Sequence, residues 1–144
     1  MYFILFLVFQ SVSSLRLLFY VPTLSFSHVA FNAQICELLV DQGHHVTMIQ
    51  AVVDDQVVYN SSRFEIIRKY VSVAPGEARN LLWASPGPFE EASPLDPKIL
   101  WKLAKVSNLF VKICRALMED SVFLEEMRDR RFDIGFLEQY DSCG

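Results

Sequence analysis

Chemistry in this 144-residue sequence can come from a loop that ends in histidine and from a glutamate that follows a late apolar run. Residues 22–28 read Pro-Thr-Leu-Ser-Phe-Ser-His and follow a short β-rich run, residues 15–21. In doubly wound α/β folds ligands gather beyond the carboxyl ends of the strands, so this first loop is the place to look. A dinucleotide site needs glycines there so that main chain can approach a pyrophosphate. This loop has none, and offers the aromatic Phe26, the hydroxyl of Ser27 and His28 instead. Ser27 reads as a helix cap, with the helix opening at His28. The positive end of a helix dipole disfavours a cationic imidazole, and a neutral histidine is the state a general base requires. The plain alternative is a histidine that only caps the helix or lies on the surface.

A base is commonly oriented by an acid. Glu138 follows the apolar run 132–137. If that run is a strand parallel to residues 15–21, Glu138 and His28 arrive at the same sheet edge. The plain alternative is a glutamate that begins an exposed loop. Other chemistry-bearing residues are less persuasive. His44 and His45 enter a strand side by side and point to opposite faces, so they read as turn and strand residues, not as metal ligands. Asp54-Asp55 lacks a partner at ligand spacing, and no metal or cofactor is expected. Cys36, Cys114 and Cys143 form no CxxC pattern; the first two sit in helical patterns as small buried residues, and one unassigned bridge stays open.

The elements that must position His28 and Glu138 follow from periodicity. The spacing predicts a helix over 28–42, with Phe31, Ile35, Leu38 and Leu39 inward and Cys36 and Val40 widening the stripe. Gly43 closes it, and residues 45–50 form a second strand. Strand, helix, glycine turn and strand make a βαβ unit with parallel strands. Residues 52–59 and 64–73 lean toward β, and proline and glycine then punctuate 74–94, with a short helix around 78–84. Asp96 as N-cap and Pro97 at the first helical position start a long helix. Its predicted buried face is Ile99, Leu103, Val106, Phe110, Ile113 and Leu117. A further helix, 122–131, leads into the strand 132–137. The expected class is α/β with a Rossmann-like parallel sheet, left incomplete because nothing after 137 covers the last strand.

Composition narrows the function. Hydrophobic residues make up 52% and charged residues 21%, with net charge −4. No basic stripe with interleaved aromatics exists, so nucleic acid is not an expected partner. The apolar run 1–9, followed by Ser11-Val12-Ser13-Ser14, reads as a signal peptide over residues 1–14, leaving one domain over 15–144. In an oxidising lumen, Asn60-Ser61-Ser62 would be a glycosylation sequon.

Ser27-His28 with Phe31-Asn32, Ile35, Leu38-Leu39 and the segment 41–47 resembles the opening of the UDP-glycosyltransferases, particularly the UDP-glucuronosyltransferase branch. Residues 123–127, the run 132–135, Glu138 and Cys143-Gly144 resemble the family's helix and the strand bearing its catalytic acid. The resemblance implies the acceptor-side part of a two-domain GT-B enzyme. There His28 would be the general base and Glu138 the carboxylate that orients it, a position where many members carry Asp. Phe26 and Ser27 would contact a small lipophilic acceptor. A UDP-sugar would be co-substrate, held by a donor domain that this resemblance does not include. The full-length family is anchored in the endoplasmic reticulum of the secretory pathway, so membrane association is expected through such a form. A second reading stays open: a short secreted protein that binds acceptors or associates with transferases without catalysis.

Overall fold

The computed structural model describes residues 13–74, 76–87, 90–91 and 93–138. Most of the expected signal peptide, residues 1–12, lies outside them. The described residues form four strands and four α-helices in the order β1 (Arg16–Pro22), α1 (Phe26–Asp41), β2 (His45–Val52), β3 (Glu65–Tyr70), α2 (Glu77–Trp83), α3 (Pro97–Met118), α4 (Ser121–Asp129) and β4 (Ile134–Leu137). The sheet is entirely parallel, in the order β3-β2-β1-β4. The chain is thus α/β with the first strands of a Rossmann-like sheet. The strand order reverses at β1, and a crevice between β1 and β4 is where such folds place ligands.

Side chains of β1 alternate between two cores, as the pleat requires. Leu17, Phe19 and Val21 pack with Val29, Ala33 and Cys36 of α1 on one face. Tyr20 packs on the other with Leu109, Ile113, Leu117 and Phe123 of α3 and α4. The apolar stripe of α1 is rotated from the predicted one: Val29, Asn32, Ala33 and Cys36 are buried, whereas Phe31 and Leu38 are exposed. On α3, Ile113 and Leu117 are buried as expected, but Leu109 takes a central place and Leu103 faces out. Burial over the sheet selects these faces, and a list of apolar positions one turn apart does not distinguish them.

Residues 52–59 correct the sequence reading. Only Val52 belongs to a strand, and Asp55–Val57 forms a short 3-10 turn. Buried side chains take the backbone partners that a strand would have used. Thr23 Oγ1 accepts from Val53 N at 3.0 Å and Asp54 N at 3.2 Å. The buried Gln50 amide donates to Tyr59 O at 3.0 Å and accepts from Tyr59 N at 3.3 Å. Gly43, at φ 87°, closes α1 in the left-handed conformation that favours glycine.

The site depends most on how β4 is pinned. Asp133 Oδ2 accepts from Arg16 N at 2.7 Å, and Asp133 N donates to Arg16 O at 2.8 Å. Phe136 stacks on Phe19 with centroids 4.5 Å apart. These contacts set a register that pairs Leu17 with Ile134 and Tyr20 with Leu137.

Candidate active site

The sheet edge beyond β1 and β4 collects the predicted residues. Ser25 is the N-cap of α1, at φ −147°, so the helix begins at Phe26 and not at His28. This corrects the assignment of Ser27 as the cap. The Ser25 and Ser27 hydroxyls bond each other at 2.9 Å, and neither caps the helix through its side chain. His28 nevertheless stays in the first turn, near the positive end of the dipole.

Glu138 follows β4 by one residue and shares the parity of Phe136, so it emerges on the α1 face of the sheet. There Glu138 Oε2 lies 2.7 Å from His28 Nδ1. A carboxylate only accepts, so Nδ1 carries the hydrogen of this bond, and the basic lone pair of the neutral imidazole falls on Nε2. The His28 side chain is 48% exposed and that of Glu138 18%, so the pair points its histidine outward.

A residue named in the sequence only as part of the Phe31-Asn32 motif completes this geometry. Asn32, one turn along α1 and buried, donates its amide to His28 O at 2.9 Å and to Glu138 Oε1. The carboxylate is thereby held at both oxygens. Beyond that motif, the signal for its place is the helical spacing of 28 and 32, which puts both on one face.

Ser27, His28, Phe31 and Glu138 line a shallow depression of about 340 Å³. Ser27 also borders a larger cleft of about 550 Å³, lined by Leu24, Phe26, Asp54, Arg79, Asn80 and Trp83 among others. Phe26 is 60% and Trp83 55% exposed. Asp54, set aside as a metal candidate, is buried and serves structure. Its Oδ1 accepts from Gln56 N at 3.0 Å and its Oδ2 from Arg79 Nη2 at 2.5 Å.

The remaining candidates lie elsewhere. His44 Nδ1 accepts from Leu15 N at 3.3 Å, and His45 pairs with Arg16 in the sheet register; both border the opposite sheet edge. Asn60 is exposed, and its Oδ1 accepts from Arg68 Nη2 at 2.6 Å. Cys36 is a free buried thiol, as expected, and Cys114 is disulfide-bonded, so the bridge left open in the sequence includes Cys114. Among the described residues no helix is long and apolar enough to cross a membrane.

No family model and no solved structure matches the chain. Curated relatives do, and their names give UDP-glucuronosyltransferase as a provisional assignment. Caenorhabditis elegans ugt-56 is 30% identical over 143 residues, covering 92% of this chain and 25% of that protein. Caenorhabditis elegans ugt-55 is 33% identical over 141 residues, covering 91% and 26%. Caenorhabditis briggsae ugt-47 is 28% identical over 146 residues, covering 98% and 26%. The chain spans about a quarter of the length of the curated relatives it matches. By sequence, over that quarter, it belongs to the UDP-glucuronosyltransferase family.

Proposed function

We propose that this chain is the acceptor-binding stretch of an inverting UDP-sugar transferase of the GT-B type. The observation that carries the reading is the His28–Glu138 pair, 2.7 Å apart at the point where the strand order reverses. With Nδ1–H given to Glu138, Nε2 takes the proton of an acceptor hydroxyl. The oxygen attacks the anomeric carbon of the UDP-sugar from the face opposite the leaving group, UDP departs, and the configuration inverts. Glu138 holds the ring in the required tautomer and stabilises the imidazolium that forms. Phe26 and Ser27 contact a small lipophilic acceptor in the adjoining cleft. The UDP-sugar is a substrate held by a donor-binding domain, and no cofactor takes part.

The proposal extends to the cell. Residues 1–14 direct the chain into the secretory pathway, the enzyme works in the lumen of the endoplasmic reticulum with membrane attachment in its full-length form, and Asn60 is glycosylated. The exposure of Asn60 supports that last step. Because the 550 Å³ cleft is built wholly within this stretch, a second reading keeps acceptor binding without catalysis.

The test joins the stretch to a donor-binding domain and measures sugar transfer for wild type, His28→Ala and Glu138→Gln. Loss of a positioned base should slow transfer by about 10²–10⁴-fold. His28→Ala with unchanged transfer refutes the mechanism. Transfer in none of the three forms, with acceptor binding intact, favours the second reading.

A further inference from the structure

The cleft beside His28 carries a charge that the proposed transfer does not use. Of its lining residues among those described, only Asp54 and Arg79 are charged. The two are not presented equally. The Asp54 side chain is 6% exposed and both its oxygens are engaged, whereas the Arg79 side chain is 45% exposed. A guanidinium has five N–H donors in a planar fork, and the bond to Asp54 uses one. The buried carboxylate therefore holds one nitrogen of a half-exposed cation that lines the cleft. Fixing it beforehand reduces the ordering cost of binding an anion.

The rest of the wall is suited to a flat apolar body. Phe26 and Trp83, each more than half exposed, line it together with the aliphatic Leu24 and Val57. The volume of about 550 Å³ fits a small-molecule site. Ser27 belongs both to this cleft and to the depression that contains His28, so a ligand lying in the cleft extends toward the base.

We propose that the cleft selects aromatic hydroxy acids: the carboxylate pairs with Arg79, the ring lies against Phe26 and Trp83, and the hydroxyl reaches His28 across Ser27. This rests on the acceptor reading above and names its substrate class. Arg79 is then the residue that determines specificity, and Asp54 the residue that positions it.

The chain itself can be tested by calorimetric titration with 6-hydroxy-2-naphthoate and with the neutral 6-hydroxy-2-naphthamide. The acid should bind at least tenfold more tightly than the amide, and the gap should close as salt is raised. Arg79→Gln should remove the preference while leaving amide binding within about threefold. Because that variant strands a buried carboxylate, Asp54→Asn/Arg79→Gln is measured alongside; it should keep its fold by circular dichroism, bind the amide and show no preference. Equal binding of acid and amide by wild type, or a preference that survives in the double variant, overturns the inference and leaves lipophilic acceptor binding standing. Binding of neither compound overturns both it and the placement of an acceptor in this cleft.

Discussion

Asn32 holds Glu138 from the same helix that carries His28: one buried amide bonds the main chain of the histidine and the far oxygen of its carboxylate partner. Removing the amide costs a bond to a charged acceptor, about 1.5–3 kcal/mol. Asn32→Ala should be destabilised by about that amount, and Asn32→Asp by more, because it sets a carboxylate against Glu138. Urea melts at pH 7 check the order. Equal stability of the two at pH 7 would remove the contact from the argument.

At the opposite edge, Arg130 spans Glu65 of β3 at 2.5 Å and Glu126 of α4 at 2.7 Å, tying sheet to helix. Arg130, helped by Thr47, holds the Glu65 carboxyl below its usual range, against an opposing effect of partial burial. A carboxylate with a lowered folded value stabilises the fold above its unfolded value, and the contribution disappears as pH falls through the folded one. Glu65 is half exposed, so Glu65→Gln should cost at most about 1 kcal/mol at pH 7. Thermal melts across pH should show the cost vanishing in acid; a cost that persists there contradicts the assignment.

The Cys36 thiol is fully buried, and burial pushes its pKa up to about 12. Thiolate is the reactive form. Native chain treated with iodoacetamide at pH 8 should therefore leave Cys36 unmodified, and chain in urea should not. Peptide mass mapping reads the outcome, and rapid native labelling at Cys36 would show that the α1 face opens.

Lys102 of α3 donates to three carbonyls, Leu82 O at 3.0 Å, Ala84 O at 2.8 Å and Pro86 O at 2.7 Å. These are acceptors at and beyond the C-terminal end of α2, where helix carbonyls lack internal partners. Lys102→Met should accelerate hydrogen exchange in α2 several-fold while leaving β1 and β2 unchanged. Unchanged exchange in α2 would show that the side chain adds nothing to its anchoring.

The β1–α1–β2 unit was legible in the sequence because its signals are local: an apolar run, a helical stripe, a glycine and a second run. The convergence of His28 and Glu138 was legible too, since it needs only two parallel strands and the rule that sites lie beyond their ends. The start of α1 was not, because Ser25 and Ser27 are equivalent as caps in sequence and neither commits its hydroxyl to the helix. Residues 52–59 have β composition, yet the Thr23 hydroxyl and the Gln50 amide claim their main chain from distant positions. Arg79 and Asp54 meet across 25 positions and Asn32 and Glu138 across 106, and no spacing rule reaches that far.

The 110 positions between His28 and Glu138 also set an order of events. Closing so long a loop costs entropy that local structure does not repay, so β1, α1 and β2 can form while the histidine still lacks its carboxylate. β4 is short and, among the described strands, lies at an edge; besides its pairing with β1 it is held by Asp133 and one stacked ring. It is therefore the element most readily shed from the sheet. Detaching it would disarm the base while leaving the helix beneath it intact, so that competence at this site reports on whether β4 is docked.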